Sequence, residues 1–253
     1  MAVRLYYEEY GSGIPVVCIH GYPLDHAIWT PLIPYLKAKA RLIFPDLRGH
    51  GKSPVLSTPY TMADMAEDIL MLIDDLGLSK VLLVGHSMGG YVSLQFARSF
   101  PDRMLGLLLV ASHPFSDTPE NKEGRLTSIR KIREMGVQKV LTDFPTNLTP
   151  IPEIQDTIRP IIQATKAEGV IGSLHAMAER YDSSDVLLIA NYPVGIVLGK
   201  QDLFISQEKR HQMQVQFPQT ELSLVENAAH MIMMEDPQAV SQMILRILGL
   251  YKE

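Results

Sequence analysis

The sequence predicts an α/β protein that is built on a parallel β-sheet and carries a helical insertion. Short apolar runs, typical of buried strands, alternate with helical patterns over residues 1–113 and again over residues 191–253. Residues 114–190 show helical patterns and prolines but no convincing strand. With 253 residues, 46% of them hydrophobic, the chain is long enough for one large core.

The strands of the first segment follow one another at short intervals. In chain order they are "VRLYYEEYG", "PVVCIHG", "ARLIFPDLRGHGKS", "KVLLVGHS" and "MLGLLLVAS". Helical patterns separate the later ones, at "PLIPYLKAK", "TMADMAEDILMLIDDLG" and "MGGYVSLQFARSF". Because a strand, a helix and a further strand in succession imply right-handed crossovers, we expect these strands to be parallel.

The sheet is predicted to resume after the insertion. Strand patterns at "YPVGIVLGKQD" and "TELSLVENAAH" alternate with helical patterns at "SQEKRHQMQVQF" and "PQAVSQMILRILGLY". Asp236 is a suitable N-cap for the last helix, with Pro237 at its first position. We therefore assign residues 1–113 and 191–253 to the core and residues 114–190 to a helical cap inserted into it.

The composition excludes several classes of function. The net charge is −5 and no basic run occurs, so neither nucleic acid nor a membrane is expected as a partner. No apolar segment has the length of a signal peptide or a membrane span, and a cytoplasmic protein is expected. The single cysteine, Cys18, lies in an apolar run and is expected to be buried. No Cys/His cluster has metal-ligand spacing, and no G-x-G-x-x-G joins a strand to a helix, so we expect no metal and no cofactor.

The stretch "LVGHSMGGYVS" places Ser87 between Gly85 and Gly89 where a predicted strand gives way to a helix. This G-x-S-x-G pattern is typical of a nucleophilic serine held on a sharp turn, because glycines let the strand and the helix approach closely. The backbone N–H of Met88 would then lie at the helix N-terminus and could stabilise an anion. The alternative is a serine that only caps the helix.

A serine nucleophile needs a base and an acid to orient that base. Asp202 follows the strand "VGIVLG" and His230 follows the strand "LSLVENAA", so both are predicted at the same edge of the sheet as Ser87. Asp46 and Asp117 are competing acids in less suitable positions. A second donor for an oxyanion is predicted from the backbone N–H of Tyr22, after the strand that ends in "CIHG".

Together, "HG" after a strand, "DLRGHGKS", "GHSMGG", "GKQD" and "AAHMIMMEDP" resemble the serine-nucleophile branch of the α/β-hydrolase superfamily. The resemblance implies an eight-stranded, mostly parallel sheet with helices on both faces and a helical cap after the sixth strand. It also implies that three further histidines order loops or pack: His20, His50 and His86. The segments "SHPFSDTPENKEGR" and "LHAMAERYDSSDVL" resemble small esterases of the 3-oxoadipate enol-lactonase-like group. Many relatives have glycine where this chain has Ala229.

The resulting hypothesis is a serine hydrolase that cleaves a small carboxylic ester or lactone through an acyl-enzyme intermediate. His113 and Met231, which flank predicted catalytic loops, are candidates for contacts with the substrate. A carbon–carbon bond hydrolase, a cofactor-free perhydrolase and a ligand receptor with slow turnover remain alternatives. Serine at the nucleophile position argues against haloalkane dehalogenases and epoxide hydrolases, which need a carboxylate there. The oligomeric state stays open.

Overall fold

The fold is that of a computed structural model, and residues 1–55 and 59–250 are described. Tyr251, at the end of the last predicted helix, and the final two residues of the predicted core therefore lie outside the described residues. Within the described ranges the chain forms seven strands: β1 (Tyr7–Gly11), β2 (Ile14–Ile19), β3 (Ala40–Pro45), β4 (Val81–His86), β5 (Met104–Val110), β6 (Val194–Gly199) and β7 (Glu221–Val225). They build one sheet in the order β1-β3-β2-β4-β5-β6-β7.

The sheet is mostly parallel, as the sequence predicts. Only β1 is antiparallel to its neighbour β3, in a register that pairs Tyr7 with Pro45 and Gly11 with Arg41. The other neighbouring strands are all parallel: β2 with β3, β2 with β4, β4 with β5, β5 with β6 and β6 with β7. All residues of β4 and of β6 are buried, which explains why both read as continuous apolar runs.

The expected number of eight strands is wrong for the described part of the chain, where the sheet has seven. Residues 1–6 before β1 form no strand. Two of their backbone N–H groups bind side chains: Val3 donates to Asp68 Oδ1 at 2.7 Å and Tyr6 to Ser53 Oγ at 2.9 Å. The helical insertion consequently follows the fifth strand, β5, rather than the sixth.

The helices that cross between strands pack in two groups. One group contains α2 (Met62–Asp75) and α3 (Met88–Ser99), and α3 lies on β2, β4 and β5. The other contains α1 (Ile33–Leu36), α11 (Ile232–Glu235) and α12 (Pro237–Ile247), and α12 lies on β5 and β6. Between β6 and β7 the chain forms α10 (Gln207–Gln216). Short 3-10 helices occupy His26–Leu32 and Pro101–Arg103.

The predicted start of the last helix is confirmed. The side chain of Asp236 accepts a hydrogen bond from the backbone N–H of Ala239, and Pro237 opens α12. Thr61 and Asp64 form a reciprocal capping box at the start of α2, in which each side chain binds the other residue's backbone N–H.

Residues 114–190 are fully described and form six helices and no strand. They are α4 (Pro119–Met135), α5 (Val137–Val140), α6 (Phe144–Leu148), α7 (Pro152–Ala164), α8 (Ala167–Ala178) and α9 (Ser184–Ile189), which we call the inserted helices. Tyr60, from the loop before α2, donates a hydrogen bond to the carbonyl oxygen of Gly169 in α8 at 2.7 Å. The backbone N–H of Ser183 donates to the carbonyl oxygen of Pro114 at 2.8 Å. The inserted helices are thereby fixed to loops at the carboxyl ends of β3 and β5.

Two further features concern the chain as a whole. Cys18 in β2 is completely buried, as predicted, and burial raises the pKa of its thiol. Over the described ranges, no helix combines the length and the apolar character that crossing a bilayer requires.

Candidate active site

Ser87 occupies a strained turn between β4 and α3. Its φ angle is 50° and its ψ angle is −114°, a combination that L-residues rarely adopt. The flanking glycines make the turn sterically feasible. A Cβ atom on Gly89 would lie 2.1 Å from the carbonyl oxygen of Ile19, and one on Gly85 would lie 2.4 Å from that of Gly89. The sequence "GHSMG" therefore folds into a corner on which only the serine side chain projects freely.

The backbone around Ser87 is held from β5. The Ser87 N–H donates to the carbonyl oxygen of Val110 at 3.0 Å, and Ser112 Oγ donates to the carbonyl oxygen of Ser87 at 2.8 Å. Ser87 stands at the N-cap position of α3, yet its side chain makes no capping hydrogen bond to the described residues. A cap is therefore not the reason for a serine at this position, and the N-terminus of α3, with Met88 as its first residue, is left uncapped.

Asp202 and His230 form a buried acid–base pair at the same edge of the sheet. His230 Nδ1 donates to Asp202 Oδ2 at 2.8 Å, with the two residues 4% and 6% exposed. The other carboxylate oxygen, Oδ1, accepts the backbone N–H groups of Phe204 at 2.7 Å and Ile205 at 3.3 Å. Both oxygens of Asp202 are therefore held by hydrogen bonds, which fix the orientation of the carboxylate.

The loops that carry this pair approach closely because β6 ends in Gly199. A Cβ atom there would lie 2.1 Å from the carbonyl oxygen of Ala229, the residue before His230. The backbone of His230 is held on both sides: its N–H donates to the carbonyl oxygen of Leu148 at 3.1 Å, and its carbonyl oxygen accepts from His86 Nε2 at 3.0 Å. His86 is completely buried, and burial lowers the pKa of its imidazole well below the usual value. It thus acts as a neutral donor that positions the loop of His230.

A cavity of about 500 Å³ lies over these groups, and Ser87, His230 and Tyr22 all line it. The inserted helices supply much of its apolar wall, including Phe144, Leu148 and Leu174. A volume of this size suits a small organic molecule. The cavity thus brings together the predicted nucleophile, the predicted base and one of the two residues predicted to donate to an oxyanion.

The structure separates the two predicted substrate contacts. His113 lines the cavity, and its Nε2 lies 3.3 Å from the hydroxyl of Tyr91. Met231 is completely buried and is not among the described residues that line the cavity. Met231 immediately precedes α11, so its side chain belongs to the core although it follows His230 in sequence.

A group of charged residues in the cavity was missed by the sequence reasoning. Asp117, a competing acid in that reasoning, pairs with Arg125 and with Arg180 Nη1 at 2.7 Å, and both Asp117 and Arg125 line the cavity. Burial acts to raise the pKa of Asp117, but the hydrogen bond and charge of Arg125 and the charge of Arg180 outweigh it and lower the pKa. Lys209 of α10 also lines the cavity, with Nζ 3.3 Å from His113 Nε2. These cations are far apart in sequence, and no motif signals that they meet.

The other competing acid, Asp46, belongs to a separate group with Asp25 and His26, the one set of described residues with the spacing of metal ligands. The carboxylate oxygens of Asp46, which would bind a metal, already accept hydrogen bonds. Asp46 Oδ1 accepts from the backbone N–H of His26 at 2.9 Å and from its Nδ1 at 2.6 Å, and Oδ2 accepts from Lys52 N–H at 2.8 Å. The hydrogen bond to Asp46 raises the pKa of His26, which favours the protonated ring over a metal ligand. This group orders the loop after β3.

The fold and the strained serine at the end of β4 define an α/β protein of the hydrolase type. The family model described as the alpha/beta hydrolase fold matches residues 14–144, more than half of the chain. The chain therefore belongs to the α/β-hydrolase superfamily, as its motifs predict.

Particular relatives are similar over almost the whole chain. A thermophilic esterase from Thermogutta terrifontis, whose structure is described as malate bound, has 36% identity and a TM-score of 0.91, covering 97% of this chain and 93% of that one. A pimeloyl-[acyl-carrier protein] methyl ester esterase from Aeromonas hydrophila is 25% identical, covering 96% of this chain and 98% of its own length. The dihydrolipoyllysine-residue acetyltransferase component of an acetoin cleaving system from Pseudomonas putida is 28% identical over 94% of this chain, which spans 64% of that relative's length.

Proposed function

We propose that this protein is a serine hydrolase that cleaves a small carboxylic ester or lactone, with Ser87 as nucleophile, His230 as base and Asp202 as acid. One observation carries the proposal: the buried 2.8 Å hydrogen bond from His230 Nδ1 to Asp202 Oδ2 lies beside a cavity that the strained Ser87 also lines. A base held in this tautomer keeps Nε2 free to accept a proton. The similarity to an esterase over 97% of the chain is consistent with a hydrolase that acts on esters.

The steps follow from the roles of these groups. His230 Nε2 takes the proton of Ser87 Oγ as the oxygen attacks the carbonyl carbon, and Asp202 stabilises the imidazolium that forms. The backbone N–H groups of Met88 and Tyr22 bind the oxyanion, and the uncapped N-terminus of α3 supports this role for Met88. His230 then protonates the leaving alcohol. In the second half of the reaction it activates a water that releases the acyl group from Ser87.

The inserted helices are proposed to act as a cap. The cap is assigned to residues 114–190, and the core into which it is inserted is assigned to residues 1–113 and 191–253. Their apolar side chains form the wall of the cavity opposite the sheet edge. In this arrangement the core carries out the chemistry, and the cap selects the substrate by shape and charge. The proposed partner is thus a small ester or lactone.

The test is Ser87→Ala, assayed with p-nitrophenyl esters of increasing acyl length. Wild type is expected to turn over many times per site, while the variant loses at least about 10³-fold in kcat. The matched control is Ser93→Ala. Ser93 is a buried serine of the same helix whose Oγ donates to the carbonyl oxygen of Gly89 at 2.8 Å, and its variant should retain activity.

A second readout does not depend on guessing the substrate. A fluorophosphonate should add one phosphonyl group to wild type and to Ser93→Ala, as measured by intact-mass spectrometry, and none to Ser87→Ala. A folded Ser87→Ala variant that keeps its esterase activity or still reacts would refute the assignment. A wild-type protein that acylates once and then stalls would favour the receptor alternative.

A further inference from the structure

Two cations and two acids line the cavity on the side of α10 and the inserted helices, and a third cation lies just behind the lining. Arg125 and Lys209 line the cavity directly, and Arg180, 4.0 Å above the ring of Tyr91, is anchored behind it. The one buried carboxylate in this group, Asp117, is shared between the two arginines. The group is therefore cationic overall.

The second acid in the lining is exposed to solvent and interacts with the N-terminus of α4. Glu120 is exposed in the first turn of α4, and hydrogen bonds to its own backbone N–H and to Thr118 lower its pKa. Its carboxylate is thus committed to the helix N-terminus.

Lys209 is the cation without an acidic partner. Among the described residues its Nζ has one polar neighbour, His113 Nε2 at 3.3 Å. Burial, together with the positive charges of Lys209 and of the two arginines, lowers the pKa of His113 well below its usual value, so that the ring is neutral and accepts from the ammonium group. Burial also lowers the pKa of Lys209, the charges of the two arginines act in the same direction, and the charge of Asp117 opposes them without reversing the shift. An ammonium group that is half buried without an ion-pair partner is destabilised, and an anion bound beside it reduces that penalty.

This cation lies within reach of the proposed nucleophile. His113 follows β5 directly after Ser112, whose Oγ donates to the carbonyl oxygen of Ser87. Tyr91, which contacts His113 Nε2 at 3.3 Å, lies one turn along α3 from Ser87. A ligand in the cavity of about 500 Å³ can therefore contact the Ser87 corner with one end and Lys209 with the other.

We propose that Lys209, supported by the arginine pair around Asp117, binds a free carboxylate of the substrate, so that the preferred substrates are small esters or lactones of acidic compounds. The inference rests on the proposed function and specifies its substrate class. The carboxylate can belong to the acyl part or to the alcohol part of the ester. Both give the same charge-assisted hydrogen bond to Lys209 Nζ.

The test uses pairs of substrates that differ by one carboxylate. For the acyl side, monoethyl adipate is compared with ethyl hexanoate. For the alcohol side, 6-acetoxyhexanoate is compared with hexyl acetate. Hydrolysis is measured as the release of acid at neutral pH. Wild type is expected to prefer the acidic member of one pair, and the pair identifies which side of the ester carries the carboxylate. In Lys209→Gln the ratio of kcat/KM values, acidic over neutral, should fall by about 10- to 100-fold, which is the range for a charge-assisted hydrogen bond.

Two further variants separate a specific contact from a general charge effect. Lys209→Arg keeps the charge and should retain most of the preference. Lys131→Gln removes one positive charge from the exposed face of α4 and should leave the ratio within about twofold of wild type. An equal loss in Lys209→Gln and Lys131→Gln would overturn the assignment of the contact to Lys209.

The design keeps this inference apart from the proposed function. If neutral esters are cleaved through Ser87 and wild type shows no preference for an acidic ester in either pair, the carboxylate site is wrong while the hydrolase stands. If no ester is turned over, binding of adipate to Ser87→Ala is measured by calorimetry instead. Binding that the additional change Lys209→Gln abolishes supports the site, and an absence of binding refutes it.

Discussion

Replacing Asp202 with asparagine tests the acid–base pair with almost no change in volume. The carboxylate has two distinct duties: Oδ1 accepts the N–H groups of Phe204 and Ile205, and Oδ2 accepts the Nδ1 proton of His230. In Asp202→Asn the amide oxygen is expected to take the place of Oδ1. The reverse orientation would set the NH₂ group against two backbone donors, at a cost of about 1–3 kcal/mol for each unsatisfied N–H.

The amide nitrogen then faces His230 Nδ1 and can only donate to it. The imidazole has to accept at Nδ1, so its proton moves to Nε2, where it can no longer take the proton of Ser87. We expect kcat/KM for p-nitrophenyl esters to fall by about 10³- to 10⁴-fold. The free energy of unfolding, measured by urea titration, should stay within about 1 kcal/mol of wild type.

Asp202→Ala is the matched comparison, because it removes both duties together. It should lose activity to a similar extent and also unfold more readily, by about 1–3 kcal/mol for each backbone N–H left without an acceptor. An Asp202→Asn variant that keeps activity within tenfold of wild type would refute the argument. So would an Asp202→Ala variant that is as stable as wild type.

Three further predictions concern the scaffold. Burial lowers the pKa of His20 to about 4, below the value of about 6.5 in an unfolded chain. Between these two pH values the unfolded state therefore binds more protons than the folded state. As the pH falls from 7 to 4, this one group should reduce the free energy of unfolding by about 3 kcal/mol. Urea titrations should show that decline reduced in His20→Gln, and an unchanged slope would contradict the prediction. Gly199→Ala places a methyl group 2.1 Å from the carbonyl oxygen of Ala229, the residue before His230. It should cost about 1–3 kcal/mol of stability and lower kcat/KM. Gly124→Ala, inside α4 where a Cβ meets nothing within 4 Å, should instead raise the free energy of unfolding by about 0.5–1 kcal/mol in thermal unfolding. Asp68→Asn weakens the buried ion pair with Arg48, whose Nε lies 2.6 Å from Asp68 Oδ2. The free energy of unfolding, measured in urea, should fall by about 3–5 kcal/mol. A fall of less than about 1 kcal/mol would show that the ion pair does not stabilise the fold.

The parallel sheet was predictable because its central strands are buried on both faces and so read as uninterrupted apolar runs. The same holds for the corner at Ser87, where glycines at fixed spacing leave few other backbone geometries. The strand patterns in the sequence number seven, as observed over the described residues, whereas the eighth strand was implied only by the family resemblance. The first pattern begins at Val3 but β1 begins at Tyr7, and the N–H groups of Val3 and Tyr6 bind the side chains of Asp68 and Ser53, which are distant in sequence.

The positions of Asp202 and His230 were likewise easier to predict from the sequence than the walls of the cavity. Asp202 and His230 could be located because each follows a recognisable strand. Lys209 could not, since it meets His113 only after α10 packs beside the loop of β5. Met231 shows the opposite error: it is adjacent to His230 in sequence, but the chain enters α11 there and turns the side chain into the core.

The burial of the one cysteine makes this protein convenient for site-directed labelling. Cys18 has no exposed surface, and the raised pKa of its thiol keeps it in the unreactive protonated form. Maleimide probes should therefore leave the native chain unmodified and react only with a cysteine introduced on purpose. Pairs of such cysteines, one on an inserted helix and one on the core, would allow spin-label or fluorescence distances to be followed during turnover without first removing any residue from the native sequence.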